Sequence, residues 1–338
     1  MTDTMESRTG GLKRRSVLRG AAWVGAGVAA EGPRRAYAAV DKMRIISSQK
    51  GLWDTTLVAF GSDKGIFKDQ GIELDIQWSD GGVDALQAVI AGSLEFAVAP
   101  GILGALSAFV RHVPLVVTNA EMTGSSDLFW YVRADSPIKS MKDAAGKTVA
   151  FSRPGSSSEL VAGALTAAAG VKSKLVSTGG LGATLTQVMS GQVDVGWSAP
   201  PVALKEVQEG KARIIAYGND APELAGQTVR VGVTSARFLE AKPEVLRRFI
   251  QGMQKTIDWG YSGDEALQMY ATLHHIDLET ARLARDKGYP KAALALAPVG
   301  DLDLSIKQGV ADRQLSRPLT PDEMKEFVRH VAEFTSPA

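Results

Sequence analysis

Asp80-Gly81-Gly82-Val83, followed by Gly92-Ser93-Leu94-Glu95-Phe96-Ala97-Val98-Ala99-Pro100, decides the fold, because the chain writes this stretch a second time. The second copy is Thr178-Gly179-Gly180-Leu181, followed by Gly191-Gln192-Val193-Asp194-Val195-Gly196-Trp197-Ser198-Ala199-Pro200. Gly82 to Gly92 is 10 residues and Gly180 to Gly191 is 11. Each copy reads as a Gly-Gly turn, a helix stopped by glycine, a short apolar strand and an Ala-Pro break. The spacing is far longer than a solenoid repeat. Two similar α/β lobes is the economical reading.

The flanking sequence extends both copies. Before the first, 43–47 reads as a strand, Asp54 caps a helix over 55–64 that stops at Gly65, and 72–78 alternates as a half-buried strand. Before the second, 147–151 is a strand, Ser156 or Ser157 caps a helix running to Ala169, and 175–177 is a strand. The helices of the repeats are 83–91 and 181–190, and their strands 96–99 and 193–197. A strand at 115–118 precedes Glu121. A strand at 228–234 precedes a long helix, 243–261, with Val245, Leu246, Phe249, Ile250, Met253 and Ile257 on one stripe. Further helices are expected at 263–273, 277–287, 301–314 and 321–335, the last opened by Pro321-Asp322-Glu323.

The first 38 residues read as an address rather than as structure. Paired Arg14-Arg15, a weakly apolar run from Gly20 to Ala30, and Ala36-Tyr37-Ala38 stand in the order of a twin-arginine export signal cut after Ala38. Removal leaves 300 residues carrying 31 Lys+Arg and 34 Asp+Glu. The expected location is the periplasm.

Composition excludes much. The whole chain has 338 residues, no Cys, 38 Lys+Arg against 37 Asp+Glu, and 45% hydrophobic residues. Without Cys there is no disulfide, thiol nucleophile or thiolate metal site. Four His (His112, His274, His275 and His330) show no ligand spacing. Balanced charge without a basic run argues against nucleic acid. No Gly-x-Ser-x-Gly elbow marks a hydrolase.

Four segments carry a resemblance. Gly65-Ile66-Phe67-Lys68-Asp69-Gln70-Gly71-Ile72-Glu73-Leu74, the stretch Ala85 to Ala97, Met141-Lys142-Asp143-Ala144-Ala145-Gly146-Lys147-Thr148-Val149-Ala150, and Met189 to Gly196 stand in family order. The chain thus resembles the substrate-binding proteins of ABC importers in the nitrate/sulfonate/taurine group, also called NMT1/THI5-like. The resemblance implies a type II periplasmic-binding-protein fold: two α/β lobes joined by two crossovers, with a ligand cleft between them. Mapped here, lobe one is 39–122 plus 225–338, lobe two is 123–224, and 1–38 is the signal peptide. It further implies a monomeric receptor, not an enzyme. Such a receptor needs no cofactor or metal and delivers a small molecule to an ABC permease with its ATPase in the cytoplasmic membrane.

Cleft residues are expected where strand ends meet helix starts, because free N–H groups and the helix dipole there favour anions. Gln49 and Trp53 follow the first strand; Trp53 either walls the cleft or packs beneath the helix. Gly81 and Gly82 allow close backbone approach, or form a simple turn. Pro100 and Gly101 follow the buried strand. In lobe two Arg153 is an anion partner or a solvated arginine. The family's Gly/Ser loop contacts ligand, which implies that role for Gly155, Ser156 and Ser157. Trp197 and Ser198 close the list, Trp197 offering a ring to stack on. Glu121 selects an amine or hydroxyl, or forms a hinge salt bridge. Within the family the ligand reads as a small organic anion, sulfonate- or taurine-like or an aromatic carboxylate. The alternatives are a pyrimidine or thiamine-precursor ligand, or a sensor serving a membrane signalling partner.

Overall fold

The computed structural model describes residues 40–330. The expected export signal and residues 331–335 of the last expected helix lie outside the described residues. Strand β1 (Asp41–Ser48) starts with the alternation its sequence shows: Met43 and Ile45 are buried, Lys42 and Arg44 exposed. Its last four residues, Ile45 to Ser48, are all buried, because loops from both halves of the chain cover that end. β1 pairs in parallel with β2 (Ile72–Ser79), from Asp41 opposite Ile72 to Ser48 opposite Ser79. Between them run α1 (Trp53–Asp63) and the short α2 (Ile66–Asp69), separated by Gly65 at φ 83°. α3 (Gly82–Ile90), β3 (Phe96–Val98), α4 (Ile102–Val110) and β4 (Leu115–Thr123) follow.

The chain then leaves for a second sheet. It contains β5 (Phe129–Arg133), β6 (Thr148–Phe151), α5 (Ser157–Ala168), β7 (Lys174–Ser177) and α6 (Leu181–Met189). β8 (Gly196–Ser198), α7 (Leu204–Gln208) and β9 (Ala212–Tyr217) complete it. β10 (Thr228–Ser235) returns to the first sheet, and α8 (Ala236–Ala241), α9 (Pro243–Gly260), α10 (Glu265–His274), α11 (Leu278–Gly288), α12 (Leu302–Ala311) and α13 (Pro321–Phe327) pack on it or extend it.

The sheets have matching topology. The first has order β2-β1-β3-β10-β4, with β10 antiparallel to both neighbours. In the second, β7 pairs with β6, β5 lies between β8 and β9, and a Val149–Val195 bridge joins β6 to the residue before β8. The order is therefore β7-β6-β8-β5-β9, again with an antiparallel strand in fourth place. The repeated sequence is a repeated fold, and in each lobe the fourth strand is the one a crossover leads into and the fifth the one a crossover leaves from. The crossovers run side by side: Gly124 N–H donates to the Gln227 carbonyl at 2.9 Å, and the Thr123 and Thr228 hydroxyls lie 2.8 Å apart.

Several local expectations are corrected. Asp54 does not cap α1; the N-cap is Leu52, with no side-chain cap, and Asp54 is buried beside Arg230. The strand expected at 115–118 runs on to Thr123, so Glu121 lies within it, because β10 pairs along its whole length. The last helix ends at Phe327: Val328 is extended and bridges Val117, and Arg329 N–H donates to the Val117 carbonyl at 2.9 Å. Its opening is as read, with Pro321 in the first turn and a reciprocal Thr320–Glu323 cap. β9 went unforeseen; its Ile214-Ile215 pair was the available signal. The α9 stripe is buried as its period requires, and Phe249 packs against Phe67 and Phe96 at ring distances of 5.6 and 4.7 Å.

Candidate functional site

The carboxyl ends of β1, β3 and β6 point toward one another across the two sheets. The loops leaving them, and the one leaving β2, start helices, and these four starts converge. Leu52 precedes α1, Gly82 opens α3, Gly101 is the N-cap of α4, and Ser156 is the N-cap of α5. The Ser156 hydroxyl accepts the Glu159 N–H at 3.2 Å, while the Glu159 carboxylate accepts the Gly155 N–H at 2.6 Å.

Between them lies a cavity of about 30 Å³. Ser48, Gln49, Leu52, Thr55, Gly82, Ala99 and Gly101 line it from the first sheet's side. Ser152, Ser156, Ser157, Ser158 and Trp197 line it from the second, and Leu128 and Arg230 stand by the crossovers. The lobes meet beside it through bare backbone. A Cβ on Gly101 would sit 2.7 Å from the Gly155 carbonyl oxygen and 2.8 Å from the Ser157 nitrogen. Gly104 N–H donates to that same Gly155 oxygen at 3.0 Å.

Most of the hydroxyls are already committed. Ser48 donates to the Val98 carbonyl at 2.7 Å and Thr55 to the Gln49 carbonyl at 2.8 Å. Ser158 links Ser152 and Ser156 at 2.9 and 3.1 Å. Two buried donors of this lining make no hydrogen bond. Trp130 and Trp197 stand opposite each other on β5 and β8. The Trp130 indole N–H donates to the Ala150 carbonyl at 3.0 Å. The Trp197 indole N–H has no acceptor, although the residue is only 3% exposed. The Arg230 Nε–H also lacks a hydrogen-bond acceptor. A buried donor without a partner is rare enough to need a reason.

Behind this cavity the charge is arranged with care for burial. Arg230 is 5% exposed; its Nη2 lies 2.7 Å from Asp127 and its Nε 3.4 Å from Asp54. Burial opposes the guanidinium's charge, but the two carboxylates outweigh it and hold its pKa above the ordinary value. Burial pushes the Asp127 carboxyl above its ordinary value, against the pull of Arg230.

Glu121 sits behind Ala99, in a smaller void of about 10 Å³ that it shares with Asp54. It accepts the Ala99 N–H and, at 3.2 Å, the Asn119 side-chain N–H. Ala99 itself is at φ 60°, a conformation an L-residue adopts only when held. Burial pushes the Glu121 carboxyl up to about 8 despite those hydrogen bonds. The folded state therefore keeps a proton that the unfolded chain releases above about 4.5, and stability falls as pH rises from there through about 8. Glu121→Gln is expected to flatten the fall in melting temperature between pH 5 and pH 9. Parallel wild-type and variant curves would refute it.

Of the residues expected in the cleft, Gln49, Gly82, Gly101, Ser156, Ser157 and Trp197 line the cavity. Gly155, at φ 86°, makes the lobe contact instead. Gly81 is the N-cap of α3, beside the Gln49 amide. Pro100 turns its carbonyl to the Val231 N–H at 3.1 Å. Arg153 spans the lobes in an exposed ion pair with Asp84 at 3.2 Å, outside the cavity wall. Ser198 donates to the Val202 carbonyl at 2.9 Å, a contact internal to its own loop. Trp53 is in the core, 0% exposed, edge-on to Tyr261 and Tyr270 at 5.9 and 5.3 Å with Arg285 over its face. Reasoning from sequence missed Ser48, Leu52, Thr55, Ala99, Leu128, Ser152, Ser158 and Arg230. Arg230 had a signal: a lone cation within Val229-Arg230-Val231-Gly232-Val233, a strand otherwise free of charge. Among the described residues no cluster of His, Asp and Glu could hold a metal ion, and no helix is long and apolar enough to cross a membrane.

Two repeated α/β lobes, paired crossovers and a cavity at the converging helix starts define a protein of the type II periplasmic-binding fold. The sequence matches the family described as NMT1/THI5 like over residues 54–265, and the chain belongs to that family. Solved structures agree on the fold. The alkanesulfonate-binding protein SsuA from Xanthomonas axonopodis pv. citri, bound to MOPS, is similar at 18% identity and TM-score 0.71, covering 87% of this chain and 99% of its own. The periplasmic aliphatic sulphonate binding protein SsuA from Escherichia coli is similar at 17% identity and TM-score 0.64, over 86% and 92%. The desulfurization enzyme DSZB shares the fold at 16% identity and TM-score 0.59, over 84% and 95%. No curated protein matches by sequence.

Proposed function

We propose that this chain is the solute-binding receptor of an ABC importer, and that it captures a small organic anion by closing its two lobes. The observation that carries this reading is the unanswered Trp197 indole N–H at a cavity where helix starts from both lobes converge. The Arg230 guanidinium stands in the same wall, its Nε–H making no hydrogen bond and reaching the Asp54 carboxylate only at ion-pair distance, 3.4 Å. Helix N-termini present free N–H groups and partial positive charge, so an acidic head group satisfies what the protein leaves open. Contacts from both lobes to one ligand favour the closed arrangement over the open one. We read binding rather than catalysis here: no His lies among the lining residues to activate a hydroxyl, and Ser48, Ser152, Ser156 and Ser158 are engaged with carbonyls or with one another.

The rest of the reading follows the family. The signal at 1–38 sends the chain to the periplasm by the twin-arginine route. The lobes divide as 39–122 plus 225–338 and 123–224. The protein works as a monomer that hands its ligand to a permease and its ATPase, without a cofactor.

A thermal-shift panel of sulfonates, taurine, nitrate, carboxylates and pyrimidines tests this directly. Ligand at a hundredfold excess over its Kd adds about 2.7 kcal/mol to folding stability, which a melting curve resolves. Shifts with organic anions support the reading; a shift with a neutral pyrimidine alone, or with no compound, refutes the anion site. Trp197→Phe keeps the ring and deletes the donor. We expect it to weaken anion binding about tenfold, the worth of one hydrogen bond to a charged group, while leaving the ligand-free melting temperature unchanged or slightly raised. Unaltered affinity in calorimetry would remove the indole from the site.

A further inference from the structure

Beside the small cavity opens a second chamber of about 560 Å³, and Gln49 stands in the wall of both. The Gln49 amide is fixed there by a 2.8 Å hydrogen bond to the Asp80 carbonyl. Lobe one lines the chamber with Lys50, Trp78 and Asp80, and lobe two with Gly180, Gly182 and Val202. Trp78, near the end of β2, is half-buried, and the Lys50 ammonium lies 5.9 Å from its ring centre. The facing wall is apolar, with Leu181, Ala183 and Val202 beside the two glycines, and it leaves room at Gly182, where a Cβ would meet nothing within 4 Å. At Gly180 the lobes close to 3.5 Å between a Cβ position and the Asp80 carbonyl.

The inner cavity, at about 30 Å³, has room for a head group and no more. The body of any organic ligand must then pass Gln49 into the outer chamber. An indole face and an ammonium on one side, with glycines and small apolar side chains on the other, suit a flat ring. An aliphatic or inorganic anion gains little from them. Asp80 in the same wall offsets the charge of Lys50, so a second acidic group at the outer end gains little. We infer that the ligand is an aromatic monoanion, with its acid group in the inner cavity and its ring against Trp78 and Lys50. This rests on the inner cavity being an anion site, as proposed above.

The test titrates the full chain with two matched pairs, benzenesulfonate against ethanesulfonate and benzoate against acetate. The aromatic member of at least one pair should bind about tenfold or more tightly than its aliphatic partner. Trp78→Ala should erase that gap, Lys50→Ala should narrow it and Trp78→Phe should keep most of it, with aliphatic affinity unchanged in all three. Unchanged aliphatic binding also shows that the variants are folded. If both members of each pair bind alike, or the gap survives Trp78→Ala, the aromatic assignment falls and the anion site stands. If none of the four anions binds the wild type, the anion site falls and takes this inference with it.

Discussion

Replacing Arg230 with methionine is expected to remove about 3–5 kcal/mol of folding stability, the cost of breaking a buried ion pair from one side. Arg230 lies on β10, Asp54 on α1 and Asp127 between β4 and β5. The guanidinium thus ties both crossovers to lobe one. Methionine fills similar volume but leaves two buried carboxylates without a counter-ion. Asp127, which burial already pushes upward, would then lose the charge that opposes that push and favour its neutral form in the folded state. The penalty therefore grows as pH rises past the ordinary carboxylate range and is relieved as pH falls. Urea denaturation at pH 8 and pH 5 should show the larger loss at pH 8. The triple change Arg230→Met, Asp54→Asn, Asp127→Asn should recover part of it, since neutral partners no longer need the cation. A loss under about 1 kcal/mol at pH 8 would mean that the network is not what holds the crossovers together.

Gly101→Val is expected to leave the fold intact and to weaken ligand binding by about a hundredfold or more, because it opposes lobe closure at the wall of the cavity. Gly101 has φ −67°, an ordinary value, so a side chain adds no backbone strain. Its Cβ would nevertheless press on the Gly155 carbonyl oxygen at 2.7 Å and the Ser157 nitrogen at 2.8 Å, both backbone atoms of the opposite lobe. Backbone cannot move aside as a flexible side chain can, so the lobes must stand apart. A ligand that gains its affinity from both lobes then keeps the contacts of only one. Gly101→Ala should show the same effect in weaker form. Calorimetry with the best anion from the panel measures the loss, and small-angle scattering of the liganded variant should show a wider particle than liganded wild type. Wild-type affinity in Gly101→Val would show that this lobe contact plays no part in binding.

The sequence carried the architecture further than it carried the site. The two Gly-Gly to Ala-Pro stretches predict two matching lobes, and the sheets have that matching order. Loop positions were also legible: Gln49, Gly82 and Gly101 were placed by the rule that strand ends and helix starts form clefts, Ser156 and Ser157 by the resemblance to the family's Gly/Ser loop, and all five line the cavity. Side-chain direction was not legible. Trp53 stands at a helix start, where either face is open to it; Tyr261 and Tyr270, some two hundred residues later, draw it into the core. Asp54 fits a capping pattern, and a 3.4 Å approach to Arg230 gives it another task. Arg153 has the composition of an anion partner and is paired with Asp84 instead.

What the sequence by itself determined is therefore what local pattern can encode: apolar period, glycine stops and serine caps act within a few residues, and they specify elements, their order and their repetition. Only the tertiary structure decided which donors stay unanswered, which carboxylates share Arg230, and where backbone meets backbone across the cleft. Those contacts join residues tens to hundreds of positions apart, such as Gly101 with Gly155 and Asp54 with Arg230. Their partners are set by the strand order of two sheets and by the crossovers between them, and no window along the chain contains both members of such a pair.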